Sequence, residues 1–226
     1  MEYLLEIGDD LRPSPVSVAL IWAEGIAPPL PSETAPRFLA EAILEAQKAG
    51  KEYVPSEMRA RVRKMLRHGK YHPSGRGKPA SEFLLQAALA DVFPLVNGPV
   101  DVNNAISLAS GLPGSIFDSD LSGKHLLIRR GVAGEEYVFN NSGQTISLQD
   151  LLIVCRQNEA GWEPCGNPVK DAMITKINKQ TKNVIAVLYA PADENLEDLS
   201  AWAQKYAQLL SSHCRASTTG YRVVQP

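Results

Sequence analysis

Eight cationic side chains, Arg59, Arg61, Arg63, Lys64, Arg67, Lys70, Arg76 and Lys78, fall within twenty residues that contain no Asp or Glu. The chemistry such a block can do is phosphate binding. Each phosphate it neutralises releases condensed counterions, so affinity should fall steeply with salt. Its second part, Tyr71-His72-Pro73-Ser74-Gly75-Arg76-Gly77-Lys78-Pro79, is a Pro- and Gly-rich loop in which Tyr71 offers a ring to a nucleic-acid base. The plainer alternative is a solvated helix face that runs on into a surface loop.

A second group of polar residues lies between positions 96 and 121. Asp101, Asn103 and Asn104 stand in the first turns of an expected helix, where the helix dipole favours an acid. Gly111-Leu112-Pro113-Gly114-Ser115 then leads to Phe117-Asp118-Ser119-Asp120. Taken alone, these residues read as capping and turn chemistry.

Other chemistries find no pattern to support them. His68, His72, His125 and His213 lack metal-ligand spacing. Cys155 and Cys165 flank an expected loop around Trp162 and Pro164, and they read as small buried residues. Neither a G-x-S-x-G elbow, a Walker loop nor a Rossmann glycine fingerprint occurs. No metal and no cofactor is expected.

The surrounding elements follow from hydrophobic spacing. Residues 3–7 and 16–22 read as strands, and a helix is expected from Ser32 to about Ala49. Met58, Val62, Met65 and Leu66 make one apolar stripe of a helix that starts at Ser56 and ends near Gly69, with Arg63, Lys64 and Arg67 opposite. A short apolar helix follows from Ser81 to Ala90, and another opens at Pro99 and closes at Gly111. Strands are expected at 125–129, 136–140, 145–148, 151–156 and 183–189, with a hairpin turn at Asn141-Ser142-Gly143 and a last helix at 195–213. Helices and strands segregate rather than alternate, so the expected class is α+β, with mixed sheets flanked by helices.

The 226 residues are 44% hydrophobic and 21% charged, which favours a packed core over disorder. The formal net charge of −2 excludes a uniformly basic nucleic-acid coat but permits a local basic face. No apolar run approaches the roughly 20 residues of a membrane span. The acidic start, Met1-Glu2-Tyr3-Leu4-Leu5-Glu6, does not suit a signal peptide. Three cysteines without paired short spacing point to the reducing cytoplasm. The N-terminal strands and basic helix, residues 1–80, are expected to pack on a main domain at 81–226.

The stretch from Asn97 resembles the tRNA-editing domain of the phenylalanyl-tRNA synthetase beta subunit, whose pattern is N-x-x-V-D-V-x-N, then G-x-P, then F-D-x-D. Asn97, Val100, Asp101, Val102, Asn104, Gly111, Pro113, Phe117, Asp118 and Asp120 fit that pattern without a gap. Gly123, Ile128, Arg129 and Glu135 resemble the next segment, and Leu152-Ile153 and Thr181-x-Asn183-Val184 resemble later strands. Gly75 to Glu82 resembles the entry to the domain in its free-standing group.

The resemblance implies an editing-type fold and hydrolysis, in trans, of a wrongly attached amino acid from tRNA. Such an ester is already activated, so holding it and positioning a water can suffice without a side-chain nucleophile. Two positions depart from the family. Ser115 stands where the synthetase form has a histidine, and Lys176 stands where it has an acid that reads a tyrosine hydroxyl. A cation cannot accept that bond, which leaves open the amino acid removed.

On this reading Asn104, Ser115 and Lys176 are the expected catalytic residues, orienting the ester or water and meeting the carbonyl. Glu135, Asp171 and Thr181 are the expected substrate contacts, Asp171 taking the ammonium. Arg59, Arg63, Lys64, Arg67, Lys70, Arg76 and Lys78 would hold an aminoacylated tRNA, with no membrane or metal as partner. A non-catalytic RNA-binding module derived from an editing domain is the alternative, and a small-molecule-binding protein is a third.

Overall fold

Val16–Glu24 and Asn183–Pro191 are near-continuous apolar runs, the pattern of strands covered on both faces. In the computed structural model, which describes residues 2–12 and 15–224, they pair antiparallel from Val16 opposite Pro191 to Glu24 opposite Asn183. Along the chain lie β1 (Leu4–Ile7), β2 (Val16–Glu24), α1 (Arg37–Ala49), α2 (Ser56–Leu66), α3 (Ala80–Leu89), α4 (Gly98–Ser110) and β3 (Gly114–Asp118). There follow α5 (Ser119–Ser122), β4 (His125–Arg130), β5 (Glu136–Val138), β6 (Thr145–Ser147), β7 (Leu152–Asn158) and β8 (Gly161–Gly166). The chain then forms β9 (Asn183–Pro191), α6 (Leu196–Cys214) and β10 (Thr218–Val224).

One sheet has the order β10-β2-β9-β3, a second has β1-β4-β7-β8, and β5 and β6 form a small ribbon. Leu5, Leu126, Ile128, Leu152 and Val154 of the second sheet share one core with Val18, Leu20, Phe117 and Ile185 of the first. Leu199, Ala203, Tyr206 and Leu210 of α6 join that core, and α6 packs on β2 and β10. Helix α4 lies against α6, α3 and β3, with α1 outside it. The architecture is mixed α+β, with several sheets flanked by helices. The first 24 residues give a strand to each large sheet: β1 pairs in parallel with β4, and β2 lies between β9 and β10.

Several local expectations change. The first helix begins at Arg37 rather than Ser32, because Pro31 and Ser32 are strapped to the start of α4. The Ser32 amide donates to Val96 O, and its hydroxyl donates to Asp101. Asp101 also accepts the Val96 amide at 2.9 Å, so it closes a loop as well as meeting the helix dipole. The expected loop between Cys155 and Cys165 is largely the β7–β8 hairpin. Pro164 is tolerated there because β8 is an edge strand whose pairing shifts at Val154/Cys155. Strands β3 and β10 were not anticipated.

Cys155, Cys165 and Cys214 are buried free thiols. Among the described residues no helix is long and apolar enough to cross a membrane, and no cluster of three His, Cys, Asp or Glu could hold a metal ion.

Candidate functional site

Helix α4 starts with Asn97, whose side chain accepts the Val100 amide at 3.2 Å, and Pro99 occupies its first turn. This start aims one face of α4 at the loop that follows β8. Between them lies a pocket of about 240 Å³, lined by Asn97, Val100, Asn103 and Asn104 of the helix, Gly114 and Ile116 of β3, and Asn167, Val169, Lys170, Asp171, Lys176 and Ile177 of the loop.

The loop is held by Asn167. Its Oδ1 accepts the amides of Val169 and Lys170 at 2.8 and 2.9 Å. Its Nδ2 donates to Tyr137 Oη at 2.5 Å, and the Tyr137 hydroxyl donates to Lys170 O at 2.6 Å. On the opposite wall Asn103 Oδ1 accepts the buried Tyr206 hydroxyl at 3.0 Å, and Asn103 Nδ2 donates to Gly114 O at 3.4 Å. A methyl group on Gly114 would lie 2.7 Å from Asn103 Oδ1. Gly114→Ala is therefore expected to cost about 1–3 kcal/mol in urea unfolding. An unchanged midpoint would show that this wall can yield.

Asp171 is the main electrostatic feature of the pocket. Its Oδ2 accepts the Ile116 amide at 3.2 Å, while Oδ1 is buried and takes no hydrogen bond among the described residues. Burial raises the carboxyl, and the nearby Ser115 hydroxyl, Ile116 amide and Lys176 ammonium only partly offset this, leaving it at about 7. Gly166 makes room for it, because a methyl group there would lie 2.7 Å from Asp171 Oδ1 and 2.5 Å from the Phe117 ring.

The sequence-predicted residues separate into two groups. Asn104, Asp171 and Lys176 line the same pocket. Ser115, Glu135 and Thr181 do not. Ser115 is fully buried behind the wall, its hydroxyl 2.9 Å from the Tyr189 hydroxyl and 3.3 Å from Asn167 O. Glu135 grips Arg129 through two bonds of 2.5 and 2.8 Å and accepts the Val132 amide, which fixes a turn. Thr181 donates to Asp118 Oδ2 at 2.5 Å, and Asp118 Oδ1 caps α5 by accepting the Asp120 amide. The F-D-x-D segment therefore ties loops together. Sequence reasoning passed over Asn167 and Lys170, which the Cys165-to-Asp171 segment carries with no pattern beyond Gly, Asn and Pro.

The basic block also divides. Arg59 meets Glu52 at 3.5 Å, Arg61 meets Asp193 and Glu194 at 2.9 Å, and Arg63 makes a two-pronged pair with Glu82. These pairs tie α2 to other parts of the chain. Lys64, Arg67 and Lys70 are exposed and form no ion pair among the described residues, although Arg67 bonds His72 at 3.3 Å. Arg76 and Lys78 line a second depression that adjoins the pocket. Tyr71 is half-buried, its hydroxyl donates to Gly77 O at 2.5 Å and its pKa is pushed up to about 12 by burial, so its ring is part of the loop's own packing.

Residues 76–201, more than half of the chain, match the family described as B3/4 domain. Among solved structures the chain is similar to an N-terminal fragment of the phenylalanyl-tRNA synthetase beta subunit from Pyrococcus horikoshii. The identity is 10% and the TM-score 0.50, over 99% of this chain and 54% of that one. The chain thus spans about half the length of that fragment, and at this identity the likeness shows the fold alone. No curated protein matches it.

Proposed function

The chain belongs to the B3/4 domain family, and from that premise we propose that it hydrolyses a mischarged aminoacyl-tRNA ester, acting in trans. The observation that carries this reading is Asp171, which lines one pocket with Asn104 and Lys176 and whose buried Oδ1 takes no hydrogen bond among the described residues. An acceptor held out of water favours a cation or a strong hydrogen-bond donor. The α-ammonium of an aminoacyl group is such a donor.

With the ammonium on Asp171, the ester carbonyl lies toward the Asn104 amide and the Lys176 ammonium. Water adds to the carbonyl carbon, the bond from that carbon to the ribose oxygen breaks, and that oxygen takes a proton. A free amino acid and a tRNA with its terminal hydroxyl result. Lys176 supports negative charge building on the carbonyl oxygen, and Asn104 orients water or ester. Val96, Val100, Ile116, Val169 and Ile177 supply apolar wall for a side chain. Arg76, Lys78 and the exposed Lys64, Arg67 and Lys70 give the tRNA backbone its counter-charges.

The test is deacylation of a panel of mischarged tRNAs by the full chain. Release of at least one amino acid well above the spontaneous rate is expected, and turnover on no member would refute hydrolysis. The burial of Ser115 outside the pocket favours a second reading, a binding module without chemistry. Salt-sensitive tRNA binding with no deacylation would select it.

A further inference from the structure

A separate cavity of about 180 Å³ lies behind α4, on the face turned away from Asn103 and Asn104. Its floor is Ala105, Ile106 and Ala109, which share that face of the helix. Ala105 and Ala109 are one turn apart, and their small side chains leave space between the flanking helices. Phe38, Glu41 and Glu45 of α1 border this space on one side, and Lys205 and Leu209 of α6 border it on another. Tyr53, in the turn after α1, adds a further wall.

The charges above this apolar floor are of both signs. Glu41 and Glu45 stand one turn apart on the same face of α1. Arg37 engages Glu41 at 2.8 Å, whereas Glu45 forms no ion pair among the described residues. Burial, and then the neighbouring Glu45 carboxylate, raise the Tyr53 hydroxyl above its ordinary value, so at neutral pH it stays a donor at the wall. Lys205 is exposed and forms no ion pair among the described residues, and its Nζ rests 5.2 Å from the centre of the Trp202 ring. Phe38 is set by an edge-on contact with His213, with ring centres 5.0 Å apart.

A simple cation would satisfy the carboxylates but face Lys205, and a simple anion would satisfy Lys205 but face the carboxylates. A molecule that carries both charges over an apolar body suits all the walls at once. Drug-sized ligands fill pockets of about 300–1,000 Å³, so the occupant is smaller than these.

We propose that this cavity binds a free α-amino acid with an aliphatic side chain. Its ammonium meets Glu45, its carboxylate meets Lys205, and its side chain lies over Ala105, Ile106 and Ala109 beside Phe38. The site is distinct from the Asp171 pocket and does not rest on the reading of that pocket.

The experiment is calorimetric titration of the full chain with L-leucine, with isoamylamine, which lacks the carboxylate, and with 4-methylpentanoate, which lacks the ammonium. Leucine is expected to bind at least about tenfold more tightly than either. Glu45→Gln and Lys205→Gln should each weaken leucine by a similar factor, and both side chains are exposed, so melting should be unchanged. Ala109→Leu fills the floor and should abolish binding without removing a charge. Asp171→Asn should retain this binding, which separates the site from any amino acid held in the other pocket. The proposal is overturned if the parent takes up no leucine at up to about 20 mM. It is also overturned if Asp171→Asn loses the binding while Glu45→Gln and Lys205→Gln keep it, or if Ala109→Leu binds like the parent. Isoamylamine or spermidine binding as tightly as leucine would make this a site for cations and overturn the role of Lys205. Failure of the chain to deacylate any tRNA would leave these results standing.

Discussion

Asp171→Asn is expected to reduce deacylation at least a hundredfold and, above pH 7, to raise the stability of the fold. On the proposed reading the loss follows from removing the only carboxylate among the described residues of the pocket lining, because a neutral amide would no longer balance an ammonium there. The gain follows from proton linkage. An unfolded Asp titrates near 4, whereas burial holds the folded carboxyl at about 7. Between these values the native state keeps a proton that the unfolded chain has released, so stability falls as pH rises through this window and levels off above it. The full penalty is up to about 4 kcal/mol at ~1.4 kcal/mol per pH unit. Asn is close to isosteric and does not titrate, so the variant escapes that penalty. Melting curves of parent and variant should coincide near pH 4 and separate toward pH 8. The parent's affinity for an amino-acid ester should rise through pH 7 as Asp171 ionises. A variant that melts with the parent at pH 8 would show that the carboxyl is not desolvated. A fully active one would remove Asp171 from the site.

Arg130→Ala is expected to cost about 3 kcal/mol, which for a chain of this size lowers the melting temperature by roughly 6–12 °C. Arg130 is buried on β4 and donates to Met65 O at 3.2 Å, Leu66 O at 3.2 Å and Asp150 O at 3.4 Å. Two of those carbonyls belong to the last turn of α2, where no intrahelical donor remains. Burial depresses the guanidinium, and the charges of Asp10 and Asp150 oppose that change. Truncation leaves buried carbonyls unmet and the end of the basic helix untethered. The loop carrying Arg76 and Lys78 follows that helix, so RNA affinity should fall with stability. Arg130→Lys should recover only part, since one ammonium cannot span the same three acceptors. A melting temperature within 2 °C of the parent would refute this anchor.

The main helices and the two central strands were legible because each has a strong period or a long apolar run. Strand β3 was hidden in five residues after a Pro-Gly turn, and β10 carries Gly220 in its middle. Both are defined by the strand they pair with, which local sequence does not contain. The site was half legible for the same reason. Asn104, Asp171 and Lys176 meet across a gap set by α4 and the loop after β8. Ser115 lies on β3, a strand that had not been foreseen, and its hydroxyl is fully buried between Tyr189 and Asn167 O, behind the lining of that gap. The acid-free run at 59–78 read as one basic surface. The acids that neutralise Arg59, Arg61 and Arg63 are Glu52, Asp193, Glu194 and Glu82, three of them beyond the block in the chain.

The placement of β2 has a consequence for how the molecule is made. Its two neighbours are β9 and β10, so a strand finished by residue 24 finds both partners only in the last quarter of the chain. Closure of that sheet waits until nearly all of the polypeptide has been synthesised. Until then Val16 to Ala23 travels as a sticky ribbon with bare edges, a natural client for chaperones and the first place where crowded nascent chains would aggregate.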